Sequence, residues 1–169
     1  VDSMPNASTH LSVRDLGRMS YGEALAMQRA LQQEVIAGRG DEQRTDHLLL
    51  VEHTPPVITI SRRAAAANHL LATPDMLQVA GVDVHETDRG GDITYHGPGQ
   101  FVLYPVIDLR DARVGARAYV EGLEDLMIDC ARGFGVQAKG RVPGMTGVWV
   151  GEKKLGAVGV RISQGVTSH

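Results

Sequence analysis

The sequence is short of the features that usually assign a chain quickly. Its 169 residues include one cysteine, Cys130, and aromatic residues make up 4%. A lone thiol cannot close a disulfide within the chain, which fits a reducing, cytoplasmic setting. No apolar run nears the roughly 18 residues expected of a membrane span. Residues Val1 to His10 are polar and lack the basic-then-apolar order of a secretion signal, so a loose tail is expected over 1–10. The formal net charge of −3 gives no reason to expect nucleic acid. The seven histidines are dispersed, with no two-His helical spacing beside a carboxylate, so neither a metal hydrolase nor any resident cofactor is indicated. Repeats and low-complexity segments are absent.

What is present fits one domain of ordinary size, placed at 11–169. Leu11 to Leu16 has the pattern of a strand. Ser20 followed by Glu23 is a capping box, and Tyr21, Ala24, Leu25, Leu31 and Val35 recur at helical spacing, which predicts a helix from Tyr21 to Ala37 ending at Gly38. Arg39 to Asp46 is charged and is expected to be a surface loop. His47 to Glu52 is almost continuously apolar, as in a buried strand, and Val57 to Ile60 is β-branched. Ser61 to Leu71 has no clear pattern. Thr73-Pro74 starts a short helix that Gly81 ends. Val82 to Thr87 and Phe101 to Ile107 read as strands, with Pro105 marking an edge or an interruption. Val120, Leu123, Met127, Cys130 and Phe134 form one stripe of a helix over Ala116–Gly133, which makes Cys130 a buried hydrophobe rather than a nucleophile. Val136 to Lys139 reads as a short strand. Gly147–Val150 and Lys154–Ile162 read as a hairpin turned at Gly151 to Lys153. This mixture of strands and helices predicts an α/β (α+β) fold, a mixed sheet packed with helices, in a single domain.

Between two of these strands lies Arg89-Gly90-Gly91-Asp92-Ile93-Thr94-Tyr95-His96-Gly97-Pro98-Gly99-Gln100. Glycines let a backbone come close to a ligand. Arg89 can bind an anion or a carbonyl, Tyr95 offers a ring and a hydroxyl, and His96 titrates near neutrality. The plainer alternative is a glycine-rich turn with Arg89 paired to Asp88 or Asp92. Local charge offers a second hint: Arg62 and Arg63, with Arg110, Arg113 and Arg117, can form a basic face that attracts an acidic carrier protein, or can be scattered solvated arginines.

This stretch resembles the signature of the lipoyl(octanoyl) transferases, which move an octanoyl group from acyl carrier protein to a lysine of a lipoyl domain. The resemblance extends to Leu48, Val51-Glu52-His53-Thr54-Pro55, Gly147-Val148-Trp149 and Lys154-Leu155-Gly156-Ala157-Val158-Gly159-Val160-Arg161-Ile162. It implies a fold shared with biotin and lipoate ligases and a reaction through a cysteine thioester. It also implies two kinds of partner, octanoyl-acyl carrier protein and the lipoyl domains of 2-oxo acid dehydrogenases and the glycine cleavage H protein. Lys154 matches the lysine beside the family's nucleophile, where it would lower the thiol's pKa. Arg89, Gly90, Gly91, Asp92, Ile93, Thr94, Tyr95 and His96 would line the acyl site, with Tyr95 and His96 closing it. Ala157, Val158 and Gly159 would form the opposite wall, and His169 would open a His-Gly turn in the same pocket.

The family's Pro-Cys-Gly nucleophile motif has no counterpart in these residues, and Cys130 precedes Lys154 without Pro or Gly neighbours. The expectation is therefore a C-terminally incomplete catalytic domain, taken here as a fragment rather than a truncated gene, and inactive alone. Two other functions compete. One is an ATP-dependent lipoate or biotin ligase, for which Gly38-Arg39-Gly40 superficially resembles a glycine-arginine motif. The other is a non-catalytic protein that binds acyl carriers or lipoyl domains.

Overall fold

A computed structural model describes residues 10–63, 65–143 and 146–169. Residues 1–9 of the expected tail fall outside these; His10, its last residue, already belongs to a strand. Two β-α-β-like units form the body. In the first, β1 (His10–Met19) and β2 (Thr45–His53) pair in parallel, and α1 (Tyr21–Ala37) makes the crossover that parallel strands require. The antiparallel strand β6 (Val102–Val106) completes a three-stranded sheet in the order β1-β2-β6. In the second, β3 (Val57–Ser61) pairs in parallel with β4 (Asp83–Thr87) and antiparallel with β5 (Ile93–His96). A 3-10 turn, Ala66–His69, and the short helix α2 (Pro74–Ala80) make that crossover. The mixed pairing expected from the sequence is thus present, divided between two sheets.

The local signals act as capping chemistry demands. The Ser20 side chain accepts from the Glu23 N–H while the Glu23 carboxylate accepts from the Ser20 N–H. Thr73 caps α2, Pro74 opens it and Gly81 closes it at φ 62°. Pro105 sits in β6, an edge strand of its sheet, where the missing N–H breaks no ladder.

The core lies between α1 and the first sheet. Ala24, Leu31 and Val35 of the helix meet Leu49, Val51, Tyr104 and Val106 of the sheet, together with Val166. Each such aliphatic side chain contributes about 1.5–3 kcal/mol by leaving water.

Several expectations change. The segment Lys154–Ile162 is not one strand. β7 (Val148–Val150) pairs with β8 (Lys153–Gly156), the chain then leaves the ladder, and β9 (Arg161–Ser163) pairs instead with β10 (Val166–Ser168). Lys153 is in β8 rather than in the turn. Of Val136–Lys139 only Lys139 pairs, in a single bridge to Trp149. The charged stretch 39–46 is not a free surface loop. Arg44 and Asp46 are buried, and Arg39 and Arg44 converge on Asp108, which is fully buried. Cys130 is exposed on α3 (Ala116–Gly133), and Phe134 at the end of its stripe is 85% exposed. Val120, Leu123 and Met127 of the expected stripe are half-buried, and the fully buried residues flank it, Tyr119 on one side and Glu124 and Ala131 on the other. Glu124 is drawn inward because its carboxylate accepts the N–H groups of Arg141 and Gly147.

Candidate active site

The Arg89–Gln100 stretch is part loop and part strand. Arg89 to Asp92 form the turn, and Ile93–His96 is β5, antiparallel to β3. Alternation along β5 then separates the predicted lining residues. Thr94 stands opposite Thr59, and His96 opposite Val57, so these two share the face that carries Thr59, Ser61, His85 and Thr87. Ile93 and Tyr95 take the other face. Tyr95 is 49% exposed, and its ring lies where a Cβ on Gly97 would come within 2.3 Å of its hydroxyl. Tyr95 and His96 therefore do not close one pocket together.

Arg89 is buried. It pairs with neither Asp88 nor Asp92. One guanidinium nitrogen donates to the Thr59 carbonyl at 3.0 Å, the Thr59 hydroxyl at 2.7 Å and the Thr94 hydroxyl at 3.0 Å; the other donates to the Gly90 carbonyl at 2.9 Å. Asp92 meets the His69 ring at 2.6 Å. The Ser61 hydroxyl donates to the Gly91 carbonyl at 2.9 Å, and the Ser61 N–H to the Asp92 carbonyl at 3.1 Å. Arginine and serine thus hold the glycine turn to β3.

The turn meets the predicted opposite wall. The Gly90 N–H donates to the Val160 carbonyl at 2.9 Å. A Cβ on Gly159 would stand 2.9 Å from Arg89 Cδ and 3.1 Å from the Gly90 carbonyl oxygen. At Gly91, φ is 99°, and a Cβ would stand 3.0 Å from the Arg89 guanidinium and 4.0 Å from the Val158 carbonyl oxygen. Gly90, Gly91, Val158 and Gly159 therefore form one seam that side chains would block. Ala157 lies exposed at its end.

Where the two sheets and α1 meet, residues far apart in sequence assemble a buried cluster of rings. His53 is fully buried. Its Nδ1 lies 3.2 Å from the Met19 carbonyl, which can only accept, so Nδ1 carries the proton. Its Nε2 then accepts from the Tyr104 hydroxyl at 2.7 Å. The His96 ring stands edge-on to His53 at 5.6 Å. Tyr21 contacts His85 at 5.1 Å and stacks on His169 at 6.2 Å. His169 Nε2 is 3.0 Å from the Thr87 hydroxyl and 3.8 Å from Asp88, and Asp88 pairs with Arg161 at 2.7 Å. Four of the seven histidines, His53, His85, His96 and His169, are gathered in space, although the described residues hold no group of three His, Cys, Asp or Glu placed to bind a metal ion.

Burial, first, pushes His96 and His169 down to about 4, with nearby Arg89 acting in the same direction. His96 thus does not titrate near neutrality; it is a neutral imidazole there. Burial also lowers His53 and raises Tyr21 and Tyr104, so these groups too are neutral at pH 7. The arrangement is apolar in character yet supplied with hydrogen-bonding groups.

Lys154 lies apart from this cluster. It is exposed on β8 opposite Trp149, with its ammonium 4.8 Å from the indole centroid. Among the described residues no hydrogen bond or ion pair joins it to the Arg89 turn or to His169. Sequence reasoning missed Tyr21, His85, Thr87 and Tyr104. It quoted His53 as part of a motif without giving it a role. The available signal was a tyrosine or histidine placed on an otherwise apolar element.

Comparison with known proteins fits this picture. The family model of the lipoyl protein ligase A/B catalytic domain matches residues 20–169. An octanoyltransferase of Solibacter usitatus is 49% identical over 157 residues, covering 93% of this chain and 68% of the relative. A mitochondrial octanoyltransferase of Arabidopsis thaliana, LIP2, is 45% identical over 159 residues, covering 94% of this chain and 65% of the relative. The chain spans about two thirds of the length of these curated relatives. A crystal structure of P. falciparum LipL1 in complex with lipoate superposes with a TM-score of 0.64 at 13% identity, over 96% of this chain and 46% of that one, a likeness of fold. The family model covers nearly the whole sequence, and the chain belongs to the lipoyl protein ligase A/B catalytic domain family.

Proposed function

We propose that this protein transfers an octanoyl group from octanoyl-acyl carrier protein to a lysine of lipoyl domains, those of 2-oxo acid dehydrogenases and the glycine cleavage H protein. The observation that carries this reading is the seam of Gly90, Gly91 and Gly159, held by Arg89 and flanked by neutral His96 and His169. The seam is a closed wall, packed by Arg89 and the Val160 carbonyl, and an uncharged acyl chain lies against it beside imidazoles that carry no charge. A thioester donor is already activated, so the transfer needs no ATP and no cofactor.

Two acyl transfers at a thiol replace one difficult step. The thiolate attacks the carrier thioester and releases the carrier's thiol. The lysine amine of the lipoyl domain then attacks the enzyme thioester, forms the amide and returns the thiol. Lys154 has the role of favouring the thiolate as an ammonium and, once deprotonated, of taking the proton from the incoming amine. Its present partner, the Trp149 ring, leaves the Nζ protons free to turn toward a thiol. That thiol is not Cys130, which is exposed on α3 with no hydrogen bond or ion pair to it among the described residues.

The ligase alternative loses its sequence support. Arg39 of Gly38-Arg39-Gly40 donates to buried Asp108 at 2.6 Å and also to the Gln164 carbonyl, so it braces the fold. The deciding experiment is to incubate the native-length protein with octanoyl-acyl carrier protein and a lipoyl domain and record intact masses. Octanoyl on the lipoyl domain without ATP supports the transferase. Modification only with ATP supports the ligase, and complex formation without any transfer supports a binding protein.

A further inference from the structure

Helix α1 has an unusual buried face. Two of its six buried residues are glutamines, Gln28 at 0% and Gln32 at 2% exposure. They lie one turn apart, so they point the same way. Both reach the same short segment. Gln32 Nε2 donates to the Val166 carbonyl at 2.8 Å and lies 3.3 Å from the Ser168 hydroxyl, while its Oε1 accepts from Arg161 at 3.1 Å. Gln28 Oε1 accepts the backbone N–H of His169 at 2.8 Å.

The Gln28 bond fixes the amide's orientation, because a backbone N–H can only donate. It leaves Nε2 of Gln28 buried with no partner among the described residues. A buried donor without a partner is destabilising, and leucine or methionine at position 28 would avoid that cost. What the glutamine supplies in return is one bond, to His169, a non-glycine residue held at φ 69°. Backbone in that region persists only where surrounding contacts over-determine it.

We propose that Gln28 and Gln32 are positioning residues, a buried two-amide clamp on α1 that holds His169 against Tyr21 and Thr87 in the candidate active site. Gln32 fixes the strand β10, and Gln28 fixes the residue that follows it. The clamp itself is independent of the reaction; its effect on turnover rests on the transferase reading.

The test follows the His169 ring by NMR in the native-length protein. Groups facing the ring are Tyr21 from α1, Thr87 and Asp88 from the end of β4, Tyr104 from β6, His96 of β5, and the charges of Arg29, Arg89 and Arg161. Gln28→Met keeps the shape and removes the acceptor. The expected result is a His169 titration midpoint rising from about 4 toward its ordinary 6.5, with the His53 midpoint unchanged. Gln32→Met is expected to move the same ring the same way. Gln33→Met, at an exposed neighbour on α1, is expected to move nothing. If Gln28→Met fails to fold, Gln32→Met carries the test. A His169 ring unmoved by the variants that fold overturns the clamp. With the transferase reading correct, octanoyl transfer by Gln28→Met should lose roughly tenfold in kcat, about 1.4 kcal/mol, at unchanged KM for the lipoyl domain. Absence of transfer by the unaltered protein refutes that reading and leaves the ring titration to decide the clamp.

Discussion

His169 and His96 set the acid limit of this protein. Each is held neutral by burial, with its folded-state pKa near 4 against an ordinary 6.5. Between those values the unfolded chain binds protons that the folded one does not, so unfolding free energy rises with pH. The contribution of these two histidines to stability is therefore full above about pH 6.5, falls as pH drops toward 4, and levels off below. Urea midpoints from pH 7 to pH 4 should show this slope, and His96→Gln should flatten it. Tyr104→Phe leaves Nε2 of His53 buried without its donor and should cost about 1–3 kcal/mol by the same measurement. The sequence marked Arg89, His96 and His169 as belonging together. It did not reveal that Arg89 is engaged by Thr59 and Thr94, nor that His96 and Tyr95 face opposite ways. Those facts depend on the strand pairing of β5, and a glycine-rich string conceals a four-residue strand.

At the scale of elements, the close approaches are the sensitive points. Gly147 has φ 93°, and a Cβ there would stand 2.3 Å from the Gly156 carbonyl oxygen. Gly147→Ala should push β7 and β8 apart and lower stability by about 3 kcal/mol, read by chemical denaturation. Asp108 is the common partner of Arg39 and Arg44. Asp108→Ala leaves Arg44 buried with less compensation and should cost about 3–5 kcal/mol in the same experiment. The helices were legible because capping is local: Ser20, Glu23, Thr73, Pro74 and Gly81 act where they stand. The burial of Glu124 beside the stripe of α3 was not, because Glu124 goes inward to serve backbone donors seventeen and more residues away. A hydrophobic stripe carries no trace of that demand. The two glutamines of α1 escaped for the same reason, since their partners lie beyond residue 160.

For the whole molecule, the described residues include no helix long and apolar enough to cross a membrane. Arg110, Arg113 and Arg117 are exposed, as are Arg62 and Arg63. If this face receives an acidic carrier, replacing Arg110 and Arg113 by glutamate should raise KM for octanoyl-acyl carrier protein and reduce its salt dependence, with kcat little changed. Steady-state kinetics at two ionic strengths check this. The family was legible from motifs spread over most of the chain. The way the strands divide among two three-stranded sheets and two strand pairs was not, because pairing partners are chosen by long-range packing.

The ring cluster draws on residues 21, 53, 85, 96, 104 and 169, and the contact that seats its last member spans 141 positions. No partial structure contains it. Such a centre needs all of these elements in place and is taken apart by any opening that separates α1 from β10. A chain in which α1 and β10 have come apart therefore holds no complete ring cluster.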